Sequence, residues 1–345
     1  RDHRPIEVSF AQIADPPGLS RCVVHCPDLI GSPSSMAPPA IVVGADGAFL
    51  LICVSFPVLD GEMHCSDVFV YSRFAGTTPS LLLVPEPYPV GLLESGHVGV
   101  LSCGGEGEHC LVVVPERRVG ADGRLWYDLQ VFSTETNSWS AKAVPFEPSK
   151  AFSVGGASLA WIDLQFGILM CNDLDTTDPE MRLIGLPPLM PTNTKKNGVG
   201  SDGCSPPLDL IRNVIDSDGW FRFVELEFLE SLDSSSSQSG WKATICKRKI
   251  GSDNWECFGT VNSDEIFDKE NKQALNMVSY PTLDMHSDDV LFMISKQKAS
   301  DPDGCVVALN TESKQLEKMA RVCAERIYFK RTYQQCAFSK HLNKA

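Results

Sequence analysis

Cys22, His25 and Cys26 stand in the order C-x-x-H-C, and Cys103, His109 and Cys110 form a second group of thiols and imidazole. Such side chains at short spacing are zinc ligands. A structural zinc takes four, commonly from two short-spaced pairs. The chain contains no C-x-x-C. "RCVVHC" (21–26) also reads as a strand, in which alternation sends Cys22, Val24 and Cys26 to one face and His25 to the other. These residues are therefore expected as core or edge cysteines.

Other chemistry-bearing groups read as turns or scattered surface residues. Asp216, Asp218 and Gly219 begin like a calcium loop, but the ligand series stops after the second Asp. Gly104, Gly105 and Gly107 lack the Lys-Ser/Thr that a P-loop requires. No G-x-S-x-G elbow presents a nucleophile. His64, His97 and His286 could meet across a face of a ring-shaped fold, although nothing in the sequence brings them together. The stretch from Lys318 to Lys344 is basic, with Arg321, Arg326, Lys330, Arg331 and Lys340. Tyr328, Phe329, Tyr333 and Phe338 are interleaved with them, a pattern compatible with RNA contact. A closing strand with packed aromatics and solvated charges is the favoured reading. No catalytic, cofactor-binding or metal-ligating residue is assigned.

The totals narrow the partners. The 345 residues carry a net charge of −14, the wrong sign for neutralising phosphates on nucleic acid or an anionic membrane. No apolar run reaches the roughly 20 residues of a membrane-spanning helix. No secretory signal opens the chain, which begins at Arg1. The 13 cysteines are odd in number, no N-x-[ST] sequon occurs, and a chain of this size needs no disulfide staples. A monomer in the reducing cytoplasm or nucleus is expected, with free thiols throughout.

The elements that must position these groups are short strands. Apolar segments rich in Val, Leu, Ile and Phe end at Gly, Asp, Asn, Pro or Ser. "GADGAF" (44–49), "DSDGW" (216–220) and "DPDG" (301–304) carry Asp-Gly, which suits hairpin turns. Apolar hairpins are expected at 41–55, 98–115, 153–170, 210–229 and 283–296. An amphipathic hairpin follows each, at 68–84, 126–144, up to 187, 241–261 and 304–322. The first four units begin about 55–57 residues apart. Four strands per repeat predict an all-β protein, a β-propeller forming one domain over 1–345. Five units occupy 41–322, and a sixth blade is expected from strands in 1–27 and 323–345, which would close the ring. A large two-sheet sandwich, or two smaller β domains, is the competing architecture.

"SVGGASLAWIDLQFGILMCNDLDTTDPEMRLIGLP" (153–187) resembles the plant DUF1618 family, a domain of unknown function abundant in grasses. "VSFAQIADPPGLSRCVVHCP" (8–27), "GWFRFVELEF" (219–228) and "AFSKHLN" (337–343) resemble further segments of it, with His341 where Tyr is more usual. The resemblance implies a propeller similar in style to F-box-associated and kelch-like domains. It implies no activity, cofactor or catalytic residue. Trp161 is expected to pack between blades and Gly167 to serve a turn.

The function expected is a non-enzymatic propeller that binds an unknown protein partner. The Pro/Gly/Asn/Lys-rich stretch 187–209 breaks the repeat, and loops on a rigid scaffold are a common route to binding. Thr192, Lys195, Lys196, Asn197 and Asp202 are the candidate contact residues. The alternatives are a hydrolase acting on a small molecule or glycan at the propeller channel, and the substrate-receptor part of a ubiquitin ligase whose adaptor-binding segment lies upstream of Arg1.

Overall fold

The computed structural model describes residues 6–11, 14, 17–18, 20–25, 40–57, 64–74, 78–86, 98–103, 109–119, 125–144, 150–154, 158–165, 167–174, 176, 180–196, 207–229, 240–266, 277–296, 303–323, 336 and 338. Strand β1 (Glu7–Ala11) pairs with β2 (Arg21–His25) in a two-stranded antiparallel sheet. Five four-stranded antiparallel sheets follow, each a simple meander. Blade 1 comprises β3 (Ala40–Asp46), β4 (Phe49–Pro57), β5 (His64–Ser72) and β6 (Ser80–Leu83). Blade 2 holds β7 (Gly99–Cys103), β8 (His109–Val119), β9 (Leu125–Ser133) and β10 (Ser138–Val144). In blade 3 these are β11 (Lys150–Ser153), β12 (Leu159–Asp163), β13 (Gly167–Asn172) and β14 (Glu180–Gly185). Blade 4 is built of β15 (Arg212–Ser217), β16 (Trp220–Phe228), β17 (Trp241–Lys249) and β18 (Glu256–Asn262). Blade 5 ends the series with β19 (Met277–Leu283), β20 (Val290–Lys296), β21 (Asp303–Asn310) and β22 (Gln315–Cys323). Among the described residues one short α-helix, α1 (Pro191–Lys196), follows blade 3 and precedes blade 4 in the chain.

The first strands of the blades are neighbours around an axis: β3 with β7, β7 with β11, β11 with β15, and β15 with β19. The middle strands are buried on both faces and therefore read as continuous apolar runs. Side chains alternate between the two neighbouring blades. Leu51 and Cys53 of β4 pack with Val112 and Val114 of blade 2, while Leu50 and Ile52 face the opposite way. The same division repeats through the series. Leu111 and Val113 meet Trp161 of blade 3, Ile168 and Met170 meet Phe221 and Phe223 of blade 4, and Ile245 meets Met293 of blade 5. Trp161 fills an interblade site as expected, with 1% of its surface exposed.

Asp218 (φ 50°) and Gly219 (φ 79°) take up the left-handed pair of a two-residue hairpin between β15 and β16. Gly167 plays a different part from the expected turn. A Cβ there would sit 2.5 Å from the carbonyl oxygen of Ile184, so the residue permits close approach of β13 to β14.

Three expectations need correction. The described residues form five four-stranded sheets and a two-stranded one, where six four-stranded blades were expected. Strands β1 and β2 pack on the face of blade 1 turned away from blade 2. Phe338 packs there too, its ring 5.6 Å from that of Phe10 and 6.1 Å from that of Tyr71. The closing strand expected at 325–338 falls almost wholly outside the described residues. Secondly, the hairpin expected at 153–170 is out of step by one strand. The four-residue β11 "KAFS" comes first, so the two apolar runs either side of Gln165 are the middle strands of blade 3. The first hairpin of blade 5 likewise starts at Met277 and not at 283. Thirdly, Cys246 and Cys257 are joined by a disulfide where free thiols were expected. Facing positions on neighbouring strands brought together residues that are 11 apart in sequence.

Candidate functional site

The long connection between blades 3 and 4 leaves β14 through Pro187 and Pro188, forms α1, and returns through a 3-10 turn at Leu208–Leu210 to β15. Its start is anchored by carboxylates that the register of β15 and β16 places side by side. Glu225 lies opposite Arg212, and both are essentially unexposed. The Glu225 carboxylate accepts hydrogen bonds from the backbone N–H of Met190 at 2.9 Å and from Asn193 Nδ2 at 2.7 Å. Asn193 Nδ2 also donates to the carbonyl of Leu226 at 2.8 Å. Two residues along the same strand face, Glu227 accepts from the hydroxyl of Thr192 at 2.9 Å.

Arg212 holds the other side. Its Nε is 3.1 Å from Glu225 Oε2, and its two terminal nitrogens donate to the carbonyls of Leu164 and Pro187, each at 2.5 Å. The guanidinium also lies 4.8 Å from the ring centre of Phe223. Burial holds the Arg212 pKa below its usual value, and the Glu225 charge opposes that shift. A buried ion pair persists only where hydrogen bonds satisfy its remaining donors and acceptors. Here the partners come from blade 3, the connection and blade 4 together.

A second set of polar ties runs along the first strands to their opposite end. Asp46 Oδ2 accepts from the backbone N–H of Ser102 at 2.8 Å. Burial raises the Asp46 pKa, and bonds from Ser102, Ser153 and Gly47 work against this. Asn213 donates to Thr282 Oγ1 at 2.8 Å, and Ser217 donates to the Met285 carbonyl at 3.0 Å. Arg222, 2% exposed, donates to the carbonyls of Asp284, Ser287 and Asp288 at 2.8, 2.9 and 2.5 Å. Asp216 differs from these. One of its carboxylate oxygens is buried without a hydrogen-bond partner, and burial, helped by the Asp218 charge, pushes its pKa up to about 7.

Chemically, these arrangements join strands and pair buried charge, Asp216 excepted. Among the described residues, no three or more His, Cys, Asp or Glu side chains are placed to hold a metal ion, and no helix is long and apolar enough to cross a membrane. Cys22 and Val24 pack on blade 1 while His25 bonds to Ser9 across the pair at 3.2 Å, the split between faces that alternation predicts. Cys103 and His109 face one another across β7 and β8, but Cys103 and Cys110 point into different interblade cores. His64 begins β5 and His286 lies in the β19–β20 turn. Cys26, His97 and Gly104–Gly107 lie outside the described residues, as do Arg326–Tyr333 of the basic stretch and its Lys340. Of the candidate contact residues, Thr192 is tied into the anchor, Lys195 and Lys196 end α1, and Asn197 and Asp202 lie outside the described residues.

Sequence reasoning missed Arg212, Glu225 and Glu227. Their signal was charge inside an apolar run, "LIRNVIDSDGWFRFVELEF" (210–228).

Five four-stranded meanders packed face to face around an axis define a β-propeller. Within that class, residues 161–292 match the family model described as protein of unknown function, DUF1618. The match runs from Trp161 to Phe292, takes in the whole Arg212–Glu225 anchor, and bears out the family read from 153–187 and 219–228, while the segments 8–27 and 337–343 lie outside it. No curated protein matches the chain. Among solved structures, similarity extends to Kuenenia stuttgartiensis hydrazine synthase, with 12% identity, a TM-score of 0.32, and coverage of 79% of this chain and 77% of that one. The Bombyx mori GH32 beta-fructofuranosidase BmSUC1 is similar at 10% identity and a TM-score of 0.33, over 82% of this chain and 62% of the other.

Proposed function

We propose that the chain is a non-enzymatic propeller that binds a protein partner through the connection between blades 3 and 4. The observation that carries this reading is the anchor. Glu225 and Glu227 fix Met190, Thr192 and Asn193 to β16, so the residues that follow leave from a rigid root. A loop launched from a fixed point loses less conformational freedom on binding than one free at both ends. Lys195 and Lys196 are adjacent positive charges on a chain of net charge −14, which favours an acidic partner segment there. The partner is unidentified, and the propeller acts as a monomer in the cytoplasm or nucleus.

The test is quantitative affinity capture with the full chain and its Lys195→Glu/Lys196→Glu variant, which leaves the anchor intact. A partner retained by the wild type and depleted about tenfold, roughly 1.4 kcal/mol, by the variant is the expected result. Equal retention by both proteins, or no reproducible partner, overturns the reading.

A further inference from the structure

The disulfide between Cys246 and Cys257 joins β17 to β18, the outer edge strand of blade 4. The register slips there: Cys246 faces Cys257 while Ile245 faces Gly259, which leaves Phe258 as the extra residue of a bulge. A bulge interrupts the ladder of hydrogen bonds, so the edge is held least by its backbone where the disulfide crosses. Phe258 is 51% exposed, and Lys247 Nζ lies 5.0 Å from its ring centre. The two sulfur-bearing residues differ sharply in access. Cys246 is sealed in the core between blades 3 and 4, whereas Cys257 is exposed.

The turn enclosed by the disulfide is one of the places where blade 4 grips blade 3, at the outer edge. Trp255 Nε1 donates to the Gly185 carbonyl at 2.7 Å, and its ring lies 6.0 Å from that of Phe223. Arg182 of β14 pairs with Asp253 at 2.6 Å. Arg248 approaches the same carboxylate at 3.6 Å and donates to the Ser252 carbonyl. The cysteines outside this disulfide are of another kind. Cys53, Cys103, Cys110 and Cys171 are buried, and burial pushes the Cys110 pKa up to about 12 and that of half-buried Cys22 to about 11.

We propose that Cys246–Cys257 is a reversible thiol–disulfide exchange site whose reduction releases the β17–β18 turn from blade 3. The co-reactant is a dithiol. One thiolate of the dithiol attacks the Cys257 sulfur, the disulfide breaks, and the Cys246 sulfur leaves and takes a proton. The second thiol of the reductant then attacks the mixed disulfide and frees Cys257. Two electrons pass to the protein, and the reductant becomes a disulfide. Exposed disulfides are the labile ones in this exchange, and attack from solvent is open only at Cys257. In a reducing compartment the open form is the resting one, and oxidation closes it.

The experiment is differential alkylation of the full native chain with mass spectrometry, before and after adding dithiothreitol, beside limited chymotrypsin digestion. Without reductant, Cys246 and Cys257 are expected unlabelled and joined. With it, they are expected to label before Cys53, Cys110 and Cys171. Cleavage after Trp255 and Phe258 is expected to rise about tenfold, since cleavage follows the population of the open segment. A Cys246→Ser/Cys257→Ser variant is expected to show the raised cleavage without reductant. If that variant does not fold, the labelling order and the cleavage of the wild type decide. Labelling of both cysteines without reductant, protection lasting until global unfolding, or unchanged cleavage on reduction overturns the proposal.

Discussion

Replacing Asp216 by Asn is expected to stabilise the protein at neutral pH and to leave it unchanged in acid. Asp216 lies on β15 opposite Phe221, with one carboxylate oxygen buried and unpartnered. Burial, with the Asp218 charge, raises its pKa from 3.8 to about 7. An unfolded chain releases this proton near its ordinary value of about 3.9. Between the two values the folded state binds a proton that the unfolded state has lost, so stability falls as pH rises through that window. At about 1.4 kcal/mol for each pH unit between them, the whole gap amounts to about 4 kcal/mol. The carboxyl is partly exposed, and solvent screening brings the expected gain to about 2 kcal/mol. An amide has nearly the same shape and no charge to desolvate. Urea denaturation of both proteins from about pH 4 to about pH 8 is the assay, with the difference growing across the range and levelling above about pH 7. A difference that is flat with pH, or an Asn variant less stable at the upper end, refutes the reasoning.

Other consequences of the structure are open to direct measurement. Phe338→Ala removes a ring packed between Phe10 and Tyr71, and is expected to cost about 3–5 kcal/mol and to speed amide exchange in β1 and β2. Unchanged exchange there would show that Phe338 does not hold the N-terminal hairpin. Gly167→Ala places a methyl against the Ile184 carbonyl, and a loss of about 1–3 kcal/mol by chemical denaturation is expected.

The two outer hairpins most alike in sequence prove alike in structure. "FSTETNSW" (132–139) and "LNTESKQL" (309–316) are the turns of β9–β10 and β21–β22, and Asn137 and Lys314 occupy the left-handed position in each. Thr134 and Thr311 each turn back with backbone N–H and hydroxyl, onto the carbonyls of Cys110 and Asp289. Local pattern carried this information, because turn chemistry and alternation lie within a few residues. The slip in blade 3 arose where the pattern was weakest, since "KAFS" is too short to declare itself a strand. The anchor was beyond local reading. Arg212 meets Leu164 and Pro187 across gaps of 48 and 25 residues, and only the packing of whole blades closes those gaps. The cysteine pair left a faint trace in "CKRKIGSDNWEC", where the two residues flank a legible turn, but register decides whether such residues face one another.

Asp46 has a consequence for how the blades are coupled. It belongs to the first strand of blade 1, yet it bonds to Ser102 of blade 2 and to Ser153 of blade 3, which is not its neighbour in the series. A carboxylate reaching that far draws three strands together at one end of the axis. A tie of this kind couples blade 3 to blade 1 without passing through blade 2. The first three blades therefore hold one another at that end, and a strain set up in one of their first strands is passed to all three.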